Sequence, residues 1–267
     1  MRIVVCVKQI PNPEIAASQY RVDEQKRSVA PVAGVQLVMS PFDEQAVEAA
    51  LRIRDAQPGA QVTVMSLGPE SARNVLKHGL AMGADDGVLL ADTAFAGSDG
   101  YTTALTLAAA IKNIGDVDLV LTGRQAADWD NGVVGAGIGE LLGIPVISFA
   151  KEVRIEAGMA RVERVLDDGI EIVEAPLPAV VTVSNELGTP RTPSLRETMR
   201  AARKPVAGWS AADLALAPDT VGAAGARRVR ERMFIPVKQN CCEIITGSSP
   251  EEQAVGLAQR LREAKFL

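Results

Sequence analysis

The sequence predicts an α/β protein with a parallel sheet covered by helices on both faces, an added antiparallel hairpin, and an extended C-terminal arm that ends in a helix. Up to residue 150, continuously apolar segments alternate with helical patterns, which is typical of a buried parallel sheet. After residue 150 the segments alternate in polarity and break at Ala157-Gly158 and Asp167-Asp168-Gly169, which predicts the hairpin. Residues 205–225 are rich in Ala, Gly and Pro and lack periodicity, which predicts a linker or arm.

The strand and helix patterns follow one another in the order expected of a Rossmann-like fold. The apolar segments that predict strands are 3–8, 62–68, 87–92, 117–123 and 145–150, and the helical patterns cover 41–56, 70–82, 100–114 and 133–142. The loop 9–38 between the first strand and the first helix is long enough to suggest a function or local structure.

Two helix starts have clear capping signals. Ser40 can act as N-cap of the first helix, with Pro41 at the first helical position and Asp43 three residues after the cap. The final helix repeats the arrangement with Ser249, Pro250 and Glu252. Because this helix follows a linker, its apolar stripe must be buried either on the parent domain or on a partner.

Composition argues against several functional classes. The formal net charge is −5 and aromatic residues make up 3%, which disfavours nucleic-acid binding. His78 is the one histidine and lies within a helical pattern, so a histidine relay is disfavoured. Cys6, Cys241 and Cys242 are too few and too unevenly spaced for a disulfide framework or a zinc site, and a reducing cytoplasm fits them best. No apolar run reaches the roughly 18–20 residues of a membrane span.

The loops after the strands are the best candidates for a ligand site. They are Gln9 and its neighbours after the first strand, Ser66-Leu67-Gly68 after the second, and Gly123 to Gly135 after the fourth. In a parallel sheet such loops share one crevice at the carboxyl edge. The helix start at Ser40 can contribute free N–H groups that suit a phosphate. The glycines at 132, 135 and 137 match neither G-x-G-x-x-G nor a phosphate loop, so they indicate either a nucleotide site or turn geometry alone.

Several motifs, in order, resemble the β subunit of electron transfer flavoprotein across about residues 1–204. They are VVCVKQIPNPE, SPFDEQAVEAALRI, GLAMGADDGVLL, LVLTGRQAADWDNGVVGAGIGELLG and LPAVVTVSNELGTPRTPSLRETMRAARK, and the last is the most specific. The resemblance implies a heterodimer whose α subunit holds most of the FAD contacts, while the β subunit binds AMP or, in electron-bifurcating members, a second FAD. It implies an electron carrier; a bifurcating oxidoreductase whose own FAD accepts hydride from NADH and a stand-alone nucleotide-binding regulator are the alternatives.

The resemblance implies that the nucleotide contacts residues of the same crevice. These are Cys6, Ser40, Pro41, Phe42, Asp43, Ser66, Gly123, Arg124, Gln125, Ala126, Asp128, Asp130, Asn131, Gly132, Val133 and Val134. We expect Gly123 to allow close backbone approach, and Asp128 or Asp130 to face ribose or cap the next helix. Arg124 is the local basic side chain in this stretch, and Trp129 can either stack on a ring or pack at the surface.

This chain departs from the family at two places in that crevice. Members commonly have Asn at position 40, where this chain has Ser40, and Gln followed by Thr or Val at 133–134, where it has Val133-Val134. Backbone N–H groups of residues 131–135 remain to bind a phosphate. The departures leave the identity of the nucleotide, AMP or FAD, open.

Residues 184–204 match the family's recognition loop, which docks flavoprotein dehydrogenases such as acyl-CoA dehydrogenases. Leu195 is the expected apolar anchor beside Met199, Ser194 and Glu197 form a capping box, and the surrounding cations are Arg191, Arg196, Arg200, Arg203 and Lys204. A solvated helix with C-terminal cations is the alternative. The domain prediction is a nucleotide-binding domain over 1–204 and an arm over 205–267 that packs on the α subunit.

Overall fold

The computed structural model describes residues 1–16, 19–29, 34–236 and 242–267, so Cys241 and parts of the loop 9–38 lie outside the described residues. The chain divides into two compact units, Met1–Arg21 with Ala30–Glu231, and Val22–Val29 with Arg232–Leu267. Among the described residues, no helix combines the length and apolarity that crossing a bilayer requires.

Within the described residues, the first unit is built on a nine-stranded sheet. Its strands are β1 (Arg2–Cys6), β6 (Gln61–Leu67), β7 (Asp86–Leu90), β8 (Leu119–Gly123), β9 (Val146–Glu156), β10 (Met159–Leu166), β11 (Gly169–Pro176), β12 (Ala179–Val183) and β13 (Ala207–Trp209). The five predicted strands are all present, and the hairpin β9–β10–β11 turns at the two predicted breaks. The predicted fold class is therefore confirmed.

The strand order is β11-β10-β9-β12-β8-β1-β6-β7-β13, and every pairing except β9–β10 and β10–β11 is parallel. From β1 the chain proceeds through β6 to β7 on one side, then returns to β8 on the other side of β1. The direction of strand addition therefore reverses between β1 and β8. Their carboxyl ends border the crevice in which open α/β sheets bind ligands.

Helices cover both faces of this sheet. Successive strand residues point to opposite sides, so each apolar strand presents side chains to the helices on both faces. The helices are α1 (Pro41–Ala56), α2 (Arg73–Met82), α3 (Gly100–Ile114), α4 (Val134–Leu142), α5 (Leu195–Arg203) and the short α6 (Gly222–Gly225). Ile3 and Val5 of β1 join the apolar cluster that includes α1 and α2, whereas Val4 and Cys6 join the cluster that includes α3 and α4. The sheet is thus buried on both faces, as its continuously apolar strands predict.

The loop 9–38 contains local structure in its described parts. β2 (Gln9–Pro11) pairs antiparallel with β5 (Leu37–Met39), and β3 (Val22–Asp23) pairs antiparallel with β4 (Ser28–Val29). The pairing of β2 with β5 carries the chain from the end of β1 to Ser40, so the start of α1 returns to the carboxyl edge of the sheet.

Residues after 204 also contribute to the first unit. β13 pairs parallel with β7 at the edge of the sheet, and Ala211, Leu214 and Val221 are buried in the cluster that includes α3. These apolar residues lack helical spacing, which is why the sequence favours a linker here. The chain leaves the first unit after Glu231.

The second unit contains the predicted C-terminal helix, α7 (Pro250–Glu263). Ser249 caps this helix, because its side chain accepts a hydrogen bond from the Glu252 N–H. None of the residues of α7 is buried, and Val255 on its predicted stripe is 67% exposed. Packing of this helix on a partner subunit stays a prediction.

Candidate functional site

The crevice between β1 and β8 is closed at its base by Asp43 in the first turn of α1. The Asp43 carboxylate is buried and accepts hydrogen bonds from the backbone N–H of Lys8 (2.8 Å) and of Gly123 (3.1 Å). A single side chain therefore joins the residues that end or follow the two central strands. The predicted neighbours Cys6, Ser40, Asp43 and Gly123 do lie together at this edge of the sheet.

Ser40 is the N-cap of α1, as predicted, but its side chain is used elsewhere. Ser40 occupies the N-cap position and Pro41 follows at the helix start, but the Ser40 side chain makes no capping hydrogen bond. Its Oγ instead accepts from the N–H of Ala127 in the loop after β8, at 3.4 Å, while its N–H donates to the Lys8 carbonyl. The Ser40 hydroxyl therefore accepts a tertiary hydrogen bond in place of the local one that would cap the helix.

Burial governs the ionisation of this cluster. It raises the pKa of Asp43 to about 7, although the hydrogen bonds from Lys8 and Gly123 act in the opposite direction. Burial, with the nearby Asp43 charge as a second cause, also raises the pKa of the Cys6 thiol to about 12. Cys6 is therefore a neutral wall of the crevice and not a thiolate nucleophile at neutral pH.

The close packing of α1 against the end of β8 requires a glycine at position 123, whether or not a ligand is bound. A Cβ at this position would lie 2.5 Å from Oδ1 of Asp43 and 2.7 Å from Cβ of Phe42. Such contacts are far shorter than van der Waals distances, so only glycine lets the helix start reach the end of β8. The predicted close backbone approach therefore has a structural reason within the chain itself.

Arg124 follows Gly123 and lies between two aromatic rings. Its Cζ is 5.1 Å from the ring centroid of Phe42 and 5.8 Å from that of Phe149, while Nη1 donates to Oγ of Ser184 at 3.2 Å. Phe149 has a φ of 61°, in the left-handed region, at a bulge between β9 and β12. Such a conformation is strained for an aromatic residue, and the structure uses it to bring the ring to the crevice edge.

Two polar atoms of the crevice residues are buried without a hydrogen-bond partner among the described residues. They are Oγ of Ser66, at the end of β6, and Nε of Arg124. A buried polar atom without a partner is costly, at about 1–3 kcal/mol. Oγ of Ser66 can donate or accept a hydrogen bond and Nε of Arg124 can donate one, so the residues present are compatible with a polar ligand such as an adenine nucleotide or flavin.

The loop after β8 is stabilised by contacts that its sequence does not show. Nζ of Lys8 contacts both carboxylate oxygens of Asp128, at 2.8 and 2.7 Å. Gln125 donates to Asp130 at 2.9 Å, and the guanidinium of Arg230 lies 4.4 Å from the Trp129 ring. The basic side chains at this loop therefore include Lys8 and Arg230 in addition to Arg124, contrary to the sequence-based expectation.

The remaining loop residues lead into α4. The Ala126 carbonyl accepts from the N–H of Asp130 at 2.9 Å, and Asn131 and Gly132 are exposed, with φ of Gly132 at 63°. Val133 is the N-cap of α4 and supplies no side-chain cap, so the interpretation of Asp128 or Asp130 as a cap is wrong. The uncapped first turn, from Val134, offers N–H groups to an anion.

The segment 184–204, predicted to be a recognition loop, forms a separate surface. Ser194 and Glu197 make the predicted capping box at the start of α5. Leu195 is 78% exposed and Met199 is 57% exposed. Together with Arg196, Arg200 and Arg203 they line one shallow depression, which we call the docking face. These three arginines make no ion pair with any other described residue.

Arg191 does not belong to the docking face. Its Nε and backbone N–H donate to Oε2 of Glu48, at 2.8 and 3.1 Å, and its Nη2 donates to Asp55 at 2.9 Å. Arg191, which the sequence predicts as one of the docking cations beside Leu195, is thus neutralised by Glu48 and Asp55 of α1 within this chain. Glu48, Lys8 and Phe149 are functional candidates that the sequence does not reveal, since their partners are distant in the chain.

Comparison with known proteins identifies the family of this chain. The family model described as electron transfer flavoprotein domain matches residues 32–214. The chain is 39% identical, over the full length of both chains, to the caffeyl-CoA reductase-Etf complex subunit CarD of Acetobacterium woodii. It is 36% identical to the electron transfer flavoprotein subunit beta of Megasphaera elsdenii, over 96% of this chain and 95% of that protein. It is 32% identical to the acryloyl-CoA reductase electron transfer subunit gamma of Anaerotignum propionicum, over 94% and 95%. The chain belongs to the electron transfer flavoprotein β-subunit family.

Proposed function

We propose that this chain is the electron carrier subunit of a heterodimeric electron transfer flavoprotein. It pairs with an α subunit that holds most of the FAD, receives electrons from flavoprotein dehydrogenases such as acyl-CoA dehydrogenases, and passes them to a downstream acceptor. The chain performs no substrate turnover itself, and its place is the cytoplasm. The protein part of this task is to bind, orient and shield the cofactor and to meet the redox partner.

The observation that carries this proposal is the docking face. An apolar centre of Leu195 and Met199 is exposed to solvent and bordered by Arg196, Arg200 and Arg203. Exposed apolar side chains on a short helix cost free energy in the chain alone, so a partner that covers them is favoured. The arginines suit a partner with an acidic rim, because charge of opposite sign speeds a transient encounter.

The crevice supports a nucleotide in the same subunit. Oγ of Ser66 and Nε of Arg124 have no hydrogen-bond partner among the described residues. The uncapped start of α4 offers N–H groups for a phosphate. Asp128 is already paired with Lys8, so the phosphate meets no free carboxylate from that residue. We assign AMP to this crevice, or FAD in the alternative described below.

The test is to purify the heterodimer, extract its nucleotides and count them. One AMP and one FAD per heterodimer is the expected result. In parallel, electron transfer from a cognate flavoprotein dehydrogenase is measured across a salt series, and its rate should fall as salt rises. A heterodimer with neither AMP nor a flavin beyond the one held by the α subunit would contradict the proposed nucleotide site.

A second function is favoured by the names of two relatives, which are subunits of a caffeyl-CoA reductase-Etf complex and an acryloyl-CoA reductase. In this alternative the chain is a subunit of an electron-bifurcating oxidoreductase, and its own FAD accepts hydride from NADH. Two FAD and no AMP per heterodimer, with NADH oxidation by the complex, would establish the alternative over the simple carrier.

A further inference from the structure

The helix that carries the docking face is held with almost no hydrophobic burial. α5 has nine residues, and Ala201 is its one buried residue. A helix of this length is marginal in water by its own propensity, and in most proteins packing of an apolar face supplies the missing stability. Since the apolar residues Leu195 and Met199 point into solvent, other interactions must fix α5 on the first unit.

The first of these interactions ties the segment before α5 to α1. The side chain of Glu48 is 6% exposed and accepts hydrogen bonds from Nε of Arg191, at 2.8 Å, and from Nε of Arg52, at 2.9 Å. Nη1 of Arg52 also donates to the Leu187 carbonyl at 3.1 Å, and Arg191 extends to Asp55. One buried carboxylate thus links two arginines that hold both ends of the segment 187–191.

The ionisation of Glu48 agrees with this role. Burial alone would raise the pKa of this carboxyl, but the hydrogen bonds from Arg191 and Arg52 and the charge of Arg191 outweigh it, so the pKa is lowered. Glu48 therefore stays ionised at neutral pH. Removing its charge would take from both guanidinium groups the buried carboxylate that joins them and leave Arg191 with Asp55 and Arg52 with the Leu187 carbonyl, so the link between the two arginines would be lost.

The second interaction holds the end of α5 on α2. Nζ of Lys77 donates to the carbonyl oxygens of Ala201, at 3.2 Å, Ala202, at 3.0 Å, and Lys204. Nζ of Lys204 donates in turn to the Ala84 carbonyl at 2.9 Å. The last carbonyls of a helix have no partner within the helix, and a cation at this end also interacts favourably with the helix dipole.

We propose that Glu48 and Lys77 are positioning residues for partner docking. Neither touches the partner: they fix α5 from its two ends, so that Leu195 and Met199 meet an acidic-rimmed redox partner in one orientation. Fixing the face beforehand removes an ordering cost from binding. This inference rests on the proposed docking function, and it makes the strength of docking depend on two residues outside the docking face.

The experiment compares four variants of the purified heterodimer: Lys77→Met, Glu48→Gln, the conservative Lys77→Arg, and Lys112→Met as control. Lys112 donates to the Leu141 carbonyl near the end of α4, so its loss removes a similar contact far from α5. Amide hydrogen exchange reports the order of residues 195–203 directly. Steady-state electron transfer at varied partner concentration separates KM from kcat.

Lys77→Met and Glu48→Gln should speed exchange in α5 by about tenfold or more, with exchange elsewhere and flavin content unchanged. The KM for the partner should rise at constant kcat, Lys77→Arg should restore both readouts in part, and Lys112→Met should affect neither. Unchanged exchange in α5 would overturn the proposal. If these variants leave electron transfer unchanged while Leu195→Ala slows it, the positioning role of Glu48 and Lys77 is contradicted and the docking function is supported. If Leu195→Ala also leaves electron transfer unchanged, the proposed docking function is contradicted.

Discussion

At the crevice, α1 approaches the end of β8 so closely that Gly123 has no room for a Cβ, and the hydrogen bonds meet on the buried carboxylate of Asp43. At the docking face, α5 buries Ala201 alone and depends on polar contacts of Glu48 and Lys77. The crevice is therefore part of the core, and changes there should affect stability and nucleotide together. Changes on the docking face should affect partner encounter alone.

The largest effect should come from Gly123→Ala. The new Cβ would overlap Phe42 and Asp43, and overpacking of a core site typically costs about 1–3 kcal/mol or more. We expect the Tm of the heterodimer to fall by roughly 5–10 °C and the nucleotide content to fall with it. Gly208→Ala is the matched control, because nothing lies within 4 Å of its added Cβ. Normal Tm and full nucleotide content in Gly123→Ala would show that the crevice tolerates a shift of α1.

Asp43→Asn should change how stability depends on pH. Because the pKa of Asp43 is about 7 in the folded chain against 3.8 for the free group, the folded state keeps a proton that the unfolded chain releases. Asp43 therefore contributes stability at pH 4 that is lost as pH rises to about 7. The Asn amide cannot accept both N–H donors, so the variant should be less stable by about 1–3 kcal/mol at pH 5, and the difference should shrink by pH 8.

Thermal unfolding at pH 5, 6.5 and 8 measures this difference. The control is Asp116→Asn, since the side chain of Asp116 is 97% exposed and its removal should leave the pH profile of the wild type unchanged. A wild-type advantage over Asp43→Asn that stays the same from pH 5 to pH 8 would contradict this prediction, because it would mean that Asp43 is ionised in the folded chain throughout this range.

Leu195→Ala should slow electron transfer without affecting stability. Truncation removes an apolar contact from the centre of a small transient interface, at a cost of about 1–3 kcal/mol, which corresponds to roughly tenfold or more in the second-order rate. FAD content and Tm should match the wild type, because Leu195 is 78% exposed. Ile170→Ala is the control, since Ile170 is similarly exposed at 56% but lies on the hairpin. Equal rates for wild type and Leu195→Ala would make α5 an ordinary solvated helix.

The smallest expected effect is a difference in the salt dependence of electron transfer between Arg196→Gln and Arg191→Gln, two variants that each lose one positive charge. Arg196→Gln should lower the association rate about twofold to fivefold at low salt and flatten its salt dependence, because exposed cations steer the encounter. Arg191→Gln should leave the salt dependence near that of the wild type, because Glu48 and Asp55 already neutralise Arg191. Stopped-flow transfer across a salt series distinguishes them. Identical salt profiles for the two variants would mean that net charge alone controls the encounter.

Local pattern was sufficient for the elements and for the general place of the crevice. The predicted strands and helices, the hairpin turns and the Ser194–Glu197 capping box depend on periodicity and on neighbours within four residues, which the sequence records directly. The crevice followed from strand order, because the carboxyl ends of parallel strands share one edge.

Tertiary structure decided what the polar side chains do. Ser40 looked like a helix cap, Asp43 like its local partner, and Arg191 like a steering cation, but each is paired with a residue 35 or more positions away. The edge strand Ala207–Trp209 and the buried residues after it depend equally on distant partners. A sequence shows which groups need a partner; only the folded chain selects that partner, because hydrogen bonds and ion pairs form across space between segments whose approach is set by packing of the core.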